Sequence, residues 1–254
     1  MKLKLNIRKE IRIGVALIGL SFLIAFSERK QGGAVCKDIV VEIENISDNH
    51  FLDEADILRL VETSGQPIKG TGLSRINLKA IEKKLKYDRH IKEAELFGDH
   101  KGNLIVHIEL RRPLARIAQE DAPDSYISEE GIIMSVSEKF TSRVMIISGR
   151  FVKQLLEAGD LMKIDEGKQI MEMIGFINDD PFWKAQIAQM DINGRGEITL
   201  YPQVTGQLVE FGTPVNFESK FKKLLVFYKE VLPQKGWTKY ERVNLKYEGQ
   251  VIAE

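Results

Sequence analysis

Three residue types are scarce in this sequence, and each scarcity argues against a class of protein. The single cysteine, Cys36, allows no internal disulfide, so packing must hold the chain together. The four histidines lie in or beside separate predicted elements, without the i, i+4 spacing of a metal site on a helix. With seven prolines, 43% hydrophobic and 29% charged residues, the chain cannot be predominantly disordered.

A net charge of either sign is also missing. Lys and Arg together number 37, as do Asp and Glu, so the formal net charge is zero. A neutral chain generates no overall field that would attract nucleic acid or steer a charged substrate. We therefore expect no nucleic-acid partner.

Common enzyme motifs are absent as well. The chain has no Gly-x-Ser-x-Gly elbow, no His-Glu-x-x-His pair and no Gly-x-x-x-x-Gly-Lys-Ser/Thr loop. No strand closely precedes the glycines of residues 70–72, which favours a loop between helices over a phosphate site. The paired acids at 129–130 and 179–180 lie beside turn residues, where acidic side chains are common. We expect no enzyme activity, no cofactor, no metal site and no small-molecule substrate.

The most informative feature that is present is the N-terminal segment. Residues 1–10 carry four basic side chains, and residues 13–26 contain no charge. This pattern is typical of a segment inserted in a membrane with its basic end in the cytoplasm. As a helix the apolar run covers only ~21 Å of a ~30 Å hydrocarbon core, but flanking Arg and Lys side chains can reach the interfaces. The predicted segments are a cytoplasmic tail at 1–10, a transmembrane anchor at 11–27 and a juxtamembrane linker at 28–38.

Two alternatives remain for this segment. A cleavable secretory signal also has a short apolar run, and small residues that suit a signal peptidase stand at Ala25, at Ser27 and again at 32–34. A lipoprotein signal is less favoured, because Cys36 follows Val35 rather than a small residue. In all three cases the rest of the chain is exported.

The first exported domain is predicted to have the order β-α-α-β-β. A strand that alternates apolar and acidic residues at 39–44 is followed by two amphipathic helices. Asp53 and Asn77 stand where each helix needs a side chain to cap its first backbone amides. Residues 91–97 and 104–110 then predict two strands around a glycine-containing turn.

A second exported domain follows a predicted linker at residues 119–125, which contains Pro123. An apolar run at 144–147 suits a central strand. A helix is predicted near 166–177, and one of its faces is apolar, formed by Ile170, Met173, Ile174 and Ile177. A strand at 242–247, continued at Val251, closes the domain. Further predicted elements are a hairpin turn at 193–196 and a helix that begins near Phe217. The predicted domain bounds are 39–117 and 118–254.

This layout resembles the FtsQ/DivIB family of bacterial cell-division proteins, in which a short basic tail and one anchor helix precede a POTRA domain. The residues that carry the resemblance are 77–85, 91–95 and 102–117. In the last range, residues 111–115 fit the Arg-x-Pro-x-Ala pattern that follows the end of a strand in the family. Residues 126–133 resemble the start of the family's β domain.

The resemblance implies an α+β fold: one N-terminal transmembrane helix, a POTRA domain and a second mixed domain with a predominantly β sheet. It implies a non-catalytic, bitopic scaffold of the divisome, located in the inner membrane at the division septum with its bulk in the periplasm. Family members bind exported parts of the coiled-coil proteins FtsB and FtsL, partly by adding a partner strand to the sheet edge near the C-terminus. Carried onto this sequence, the implied contact residues are Tyr240, Lys246, Tyr247, Glu248, Gly249 and Val251.

Three points stay open at this stage. The implied contact residues could instead form an ordinary last strand of the core. The strand at 40–44 is a second candidate edge for a partner. The alternative function is a POTRA-bearing adaptor of envelope protein assembly or transport.

Overall fold

The computed structural model describes residues 35–46, 49–204 and 206–254, which fall into two units. The described part of the first unit comprises residues 35–45 and Asp53–Glu109. Its elements are β1 (Ile39–Ile43), α1 (Glu54–Glu62), a 3₁₀ turn (Leu73–Arg75), α2 (Leu78–Leu85), β2 (Ile91–Gly98) and β3 (Leu104–Leu110). The β-α-α-β-β order predicted for the first domain is therefore confirmed.

Local capping explains where both helices of the first unit begin. Asp53 and Asp56 form a reciprocal capping box, in which the Asp53 carboxylate accepts the Asp56 amide at 2.9 Å and the Asp56 carboxylate accepts the Asp53 amide at 3.1 Å. Asn77 caps α2 in the same way, since its Oδ1 accepts the Ala80 amide at 3.1 Å. These side chains satisfy amide donors that have no partner inside the helix. Both predicted caps are confirmed.

The core of the first unit is centred on β3, which lies between β1 and β2. β1 runs parallel to β3, with Ile39 opposite Leu104 and Ile43 opposite Ile108. Leu104, Val106 and Ile108 have no exposed surface. β1 and β2 are therefore the two edges of this three-stranded sheet.

The described part of the second unit comprises residues 46, 49–52, 110–204 and 206–254 and is built on a sheet of nine strands. Its strands are β4 (Pro113–Ile117), β5 (Ser125–Ser128), β6 (Ile133–Ser135), β7 (Met145–Ser148), β8 (Ile187–Ile192), β9 (Ile198–Pro202), β10 (Leu208–Gly212), β11 (Arg242–Asn244) and β12 (Ile252–Ala253). Its helices are α3 (Val152–Ala158), α4 (Asp165–Asp179), α5 (Pro181–Gln186), α6 (Phe217–Val226), a π-helical turn (Phe227–Val231) and α7 (Leu232–Lys235). The strand order is β12-β11-β10-β9-β8-β7-β4-β5-β6.

The boundary between the units falls at Glu109 and Leu110, not at residue 117. β4 pairs with β5 and with β7, so residues 113–117 belong to the nine-stranded sheet rather than to the first domain. The predicted linker at 119–125 connects β4 to β5 inside the second unit. The sequence prediction was wrong here because an apolar strand directly after β3 suits either sheet, and only its hydrogen-bonding partners decide.

Residues 46–52 belong to the second unit because Phe51 is part of its core. Phe51 is only 2% exposed, and its ring centroid lies 5.1 Å from those of both Tyr126 and Phe140. The Ser137 hydroxyl donates to the Phe51 carbonyl at 3.1 Å. A segment that follows β1 in the chain therefore packs against β5 and the residues after β6.

The predicted helix at 166–177 is confirmed as α4. Its apolar stripe is buried against the sheet, and each of its four predicted members is at most 3% exposed: Ile170, Met173, Ile174 and Ile177. α6 contributes Phe221 and Leu224 to the same core. The helices of this unit thus pack against the sheet through one apolar core.

The predicted segments 1–10 and 11–27, and most of the linker at 28–38, lie outside the described residues. Within the described residues, no helix has both the length and the apolarity to cross a bilayer.

Candidate partner-docking edge

The C-terminal edge of the nine-stranded sheet is built by a hairpin of β11 and β12. β11 runs parallel to β10, with Val243 opposite Val209, and the Leu208 amide donates to the Glu241 carbonyl at 2.8 Å. β12 returns antiparallel to β11, with Ala253 opposite Val243. β12, not β11, is therefore the edge strand.

The outer side of β12 presents backbone groups to solvent. Arg242 and Glu254 exchange two backbone hydrogen bonds, of 3.1 and 2.9 Å. In an antiparallel ladder such pairs alternate with pairs whose amides and carbonyls point away from each other. The amide and carbonyl groups of Ala253, and by the same alternation those of Val251, therefore face away from β11. Among the described residues no strand lies beyond β12.

The opposite edge of the sheet, β6, is covered. The Ile133 amide donates to the Gly159 carbonyl at 3.1 Å, and Ile132 forms an isolated bridge with Asp160. The Leu161 amide donates to the Gly131 carbonyl at 2.8 Å. The chain after α3 thus occupies the β6 side, so β12 is the more accessible of the two edges.

The structure places four of the six predicted contact residues in the turn between β11 and β12, not in a strand: Lys246, Tyr247, Glu248 and Gly249. The predicted strand at 242–247 ends at Asn244, because the Asn244 Oδ1 accepts the Lys246 amide at 2.9 Å and starts a turn. Gly249 completes the turn with a φ of +73°, which favours glycine. Lys246 and Gly249 are therefore not ladder donors.

The remaining two predicted residues lie on either side of the hairpin. Val251 directly precedes β12 and is partly buried against the main core. Tyr240 precedes β11, and its ring centroid lies 5.7 Å from that of Phe227, within the core periphery. Tyr247, by contrast, is 51% exposed beside the edge.

Comparison with known families decides what this fold is. Residues 112–254 match the family model described as FtsQ/DivIB, C-terminal related. The chain belongs to the FtsQ/DivIB family. Residues 34–109 match the model of the POTRA-like domain, so the FtsQ/DivIB unit of this chain follows a POTRA-like one. No curated protein compared with the chain matches it.

FtsQ/DivIB membership suggests a scaffold in cell division and interaction with other division proteins. Family members are non-catalytic. In residues 35–46, 49–204 and 206–254, no three or more His, Cys, Asp or Glu side chains are grouped to hold a metal ion.

Glu210 on β10 holds the hairpin of this FtsQ/DivIB unit from the side of the sheet. Its carboxylate accepts the Asn244 Nδ2 at 2.9 Å, pairs with the Arg242 guanidinium and lies 3.5 Å from the Lys246 Nζ. The Glu210 side chain is only 17% exposed, so water competes little for these contacts. One carboxylate thus fixes both the start of β11 and the turn after it.

Lys223 on α6 holds the same hairpin from the side of the helices. Its Nζ donates to the Tyr247 carbonyl at 2.7 Å and lies 3.4 Å from the carbonyls of Leu245 and Gln250. The sequence analysis missed both Lys223 and Glu210. A lysine on the polar face of an amphipathic helix gives no signal that its ammonium group reaches a distant turn.

A groove lies beside this turn. It has a volume of about 660 Å³ and is lined by the start of α6, by α4 and by residues 245–249. Lys220 forms part of its wall, where its Nζ donates to the Thr213 carbonyl at 2.7 Å and lies 5.0 Å from the centre of the Phe211 ring. Burial, and then the charge of Lys223, lower the pKa of Lys220. Carbonyl contacts hold both lysines, so the groove wall beside the edge is fixed.

Lys223→Met is expected to loosen the hairpin without unfolding the unit. The methionine keeps the apolar stem and removes the charged donor to three carbonyls. We expect hydrogen exchange in residues 245–254 to become about tenfold faster, which corresponds to losing one charge-assisted hydrogen bond. Hydrogen-exchange mass spectrometry of the full chain measures this.

The matched control is Lys222→Met, because Lys222 is exposed on the same helix. It is expected to leave the exchange of residues 245–254 unchanged. Equal exchange in the two variants would show that Lys223 does not hold the hairpin.

Proposed function

We propose that this FtsQ/DivIB-family protein is a non-catalytic, bitopic scaffold of the bacterial divisome that receives a strand from an exported FtsB/FtsL-like partner at β12. The observation that carries the proposal is the contrast between the two edges of the nine-stranded sheet. β12 points the backbone groups of Ala253 outward, whereas the β6 edge is occupied by residues 159–161. An open edge binds an extended segment through main-chain hydrogen bonds, and alternate side chains set its register.

The surroundings of β12 support this site. Glu210 and Lys223 fix the hairpin, so the edge is ordered before a partner arrives and little ordering entropy is lost on binding. Tyr247 and Ile252 are both partly exposed next to the edge, and they supply apolar surface to an incoming strand. The proposed contact set therefore keeps Tyr247, Glu248 and Val251 from the sequence analysis and adds Ile252 and Ala253.

The test is Ala253→Pro. Proline removes the outward amide of Ala253 and keeps the bonds between Arg242 and Glu254, so the hairpin is expected to remain folded. An incoming strand would lose one ladder bond and leave a carbonyl without a donor, which costs about 1–3 kcal/mol, or roughly a tenfold to hundredfold rise in Kd. Titration against the exported segment of the FtsB-like partner measures the effect.

A matched control addresses the second candidate edge. By the alternation of the parallel ladder with β3, Val41 points its amide away from the sheet, so Val41→Pro makes the same change at the β1 edge. It is expected to leave the Kd unchanged. A folded Ala253→Pro variant with normal affinity would rule out strand addition at β12, and loss of affinity in Val41→Pro would assign the contact to β1.

The membrane topology is part of the same proposal. The charge and apolar pattern of the first 30 residues supports a basic cytoplasmic tail, an anchor at 11–27 and periplasmic units. Membership of the FtsQ/DivIB family supports a location at the division septum. After inner membranes are washed with carbonate, the protein should remain in the membrane fraction. Mass spectrometry of a mature chain that begins near Glu28 or Val35 would contradict the anchor.

Co-purification from membranes separates the scaffold from the adaptor. Recovery of division-septum proteins is expected for the scaffold. Recovery of envelope-assembly factors would instead favour the adaptor, which the POTRA-like match at residues 34–109 keeps as the second candidate.

A further inference from the structure

The described units are acidic overall, yet one segment of the first unit is strongly basic. The first 34 residues hold seven of the 37 basic and two of the 37 acidic residues, so residues 35–254 carry a formal net charge of −5. In residues 75–92, around α2, seven basic residues stand against two acidic ones. Positive charge is therefore concentrated at one place on this unit.

The two acidic side chains of that segment are used inside the unit. The Glu82 carboxylate accepts the Leu96 amide at 2.9 Å, on the outer side of β2. The Asp88 carboxylate accepts both the backbone amide and the ring nitrogen of His90, each at 2.9 Å. Both carboxylates keep their charge while they accept these bonds, so the segment carries a formal net charge of +5, seven basic minus two acidic residues.

Those lysines form one stripe. Lys79, Lys83 and Lys86 lie at helical spacing on the exposed side of α2, and Tyr87, which is 73% exposed, follows them. Lys86 pairs with Glu93, whose side chain is itself 57% exposed. We call these four residues, Lys79, Lys83, Lys86 and Tyr87, the basic face of α2. A cluster of ammonium groups with an aromatic residue at its end is suited to a bilayer surface, where charges meet headgroups and aromatic rings lie at the interface.

We propose that the basic face of α2 binds the anionic headgroups of the bilayer in which the chain is anchored. This inference rests on the anchor proposed above. Only residues 27–34 separate the apolar run from the first described residue, and fully extended they reach roughly 29 Å. That reach is about the diameter of a small domain, so the first unit stays close enough to the membrane for the basic face to contact it.

The experiment uses the full chain in nanodiscs of phosphatidylcholine alone or of phosphatidylcholine mixed with phosphatidylglycerol. We expect hydrogen exchange of α2 to be several-fold slower in the anionic discs at low salt, and the difference to disappear at high salt. Replacing all three lysines by glutamine (Lys79→Gln, Lys83→Gln and Lys86→Gln) should abolish the difference in α2 exchange between the two kinds of disc. Each charge near an anionic surface contributes roughly a fivefold factor in affinity.

A charge-matched control removes three exposed lysines from the second unit: Lys222→Gln, Lys229→Gln and Lys235→Gln. In this control variant, α2 should still exchange more slowly in the anionic discs than in the neutral ones. If the protein stays in both kinds of disc and α2 exchanges at the same rate in both, the headgroup contact is wrong but the anchor stands. If the protein does not stay in the discs, the anchor is wrong. Protection that requires an added acidic protein, rather than anionic lipid, also overturns the inference.

Discussion

Gly149→Ala is expected to prevent the second unit from folding stably. Gly149 ends β7 with a φ of +99°, and a Cβ there would lie 2.3 Å from the Ile192 carbonyl oxygen and 2.8 Å from the Ile192 amide nitrogen. Both atoms belong to the backbone of β8, so they cannot move aside as a flexible side chain could. The same Ile192 carbonyl accepts the Phe151 amide at 3.1 Å.

The expected loss is about 4 kcal/mol or more, a large part of the 5–15 kcal/mol that typically stabilises a domain. Urea denaturation of the detergent-solubilised chain, followed by circular dichroism, measures it. Gly175→Ala makes the same chemical change inside α4, where no heavy atom lies within 4 Å of the added Cβ. Because alanine is the better helix former, this control should gain up to ~1 kcal/mol. Equal stability of the two variants would contradict the close approach at Gly149.

Phe51→Ala is expected to destabilise the second unit, although Phe51 precedes most of the first unit in the chain. Its ring is buried between Tyr126 and Phe140 and beside Met134, so truncation removes apolar contacts and leaves a cavity. Large-to-small changes of this kind cost about 3–5 kcal/mol. Hydrogen-exchange mass spectrometry should show faster exchange in β5 and β6.

Phe97→Ala is the control for this prediction, because Phe97 lies on β2 of the first unit and is 49% exposed. Its truncation removes little buried surface and should change stability by less than ~1 kcal/mol. If exchange in β5 and β6 stays at the level of the unaltered chain after Phe51→Ala, then residues 46–52 do not contribute to the core of the second unit.

The features that could be predicted from the sequence are local ones. Asp53 and Asn77 cap helices that begin one residue later, and Asn193 closes a predicted hairpin turn by accepting the amides of Arg195 and Glu197 at 2.8 and 3.1 Å. The buried stripe of α4 follows from helical periodicity alone. In each case the interacting residues are near neighbours in the chain, so their spacing carries the information.

The features that could not be predicted depend on distant partners. β4 was assigned to the wrong domain because its sequence suits either sheet. The strand predicted at 242–247 ends early because the Asn244 side chain starts a turn. The groups that fix this turn are Glu210, 34 residues before Asn244, and Lys223, 24 residues before Tyr247. Contacts between residues so far apart in the chain leave no periodic pattern in the sequence.

β12 is two residues long and has a neighbouring strand on one side only. A ligand that binds β12 only while it is paired with β11 stabilises that paired form by mass action. Under the proposed strand addition, a copy without its partner would therefore expose β12 to proteases more often than a docked copy does. The cellular amount of this protein would then follow the supply of its partner, with no separate regulator needed to match their numbers.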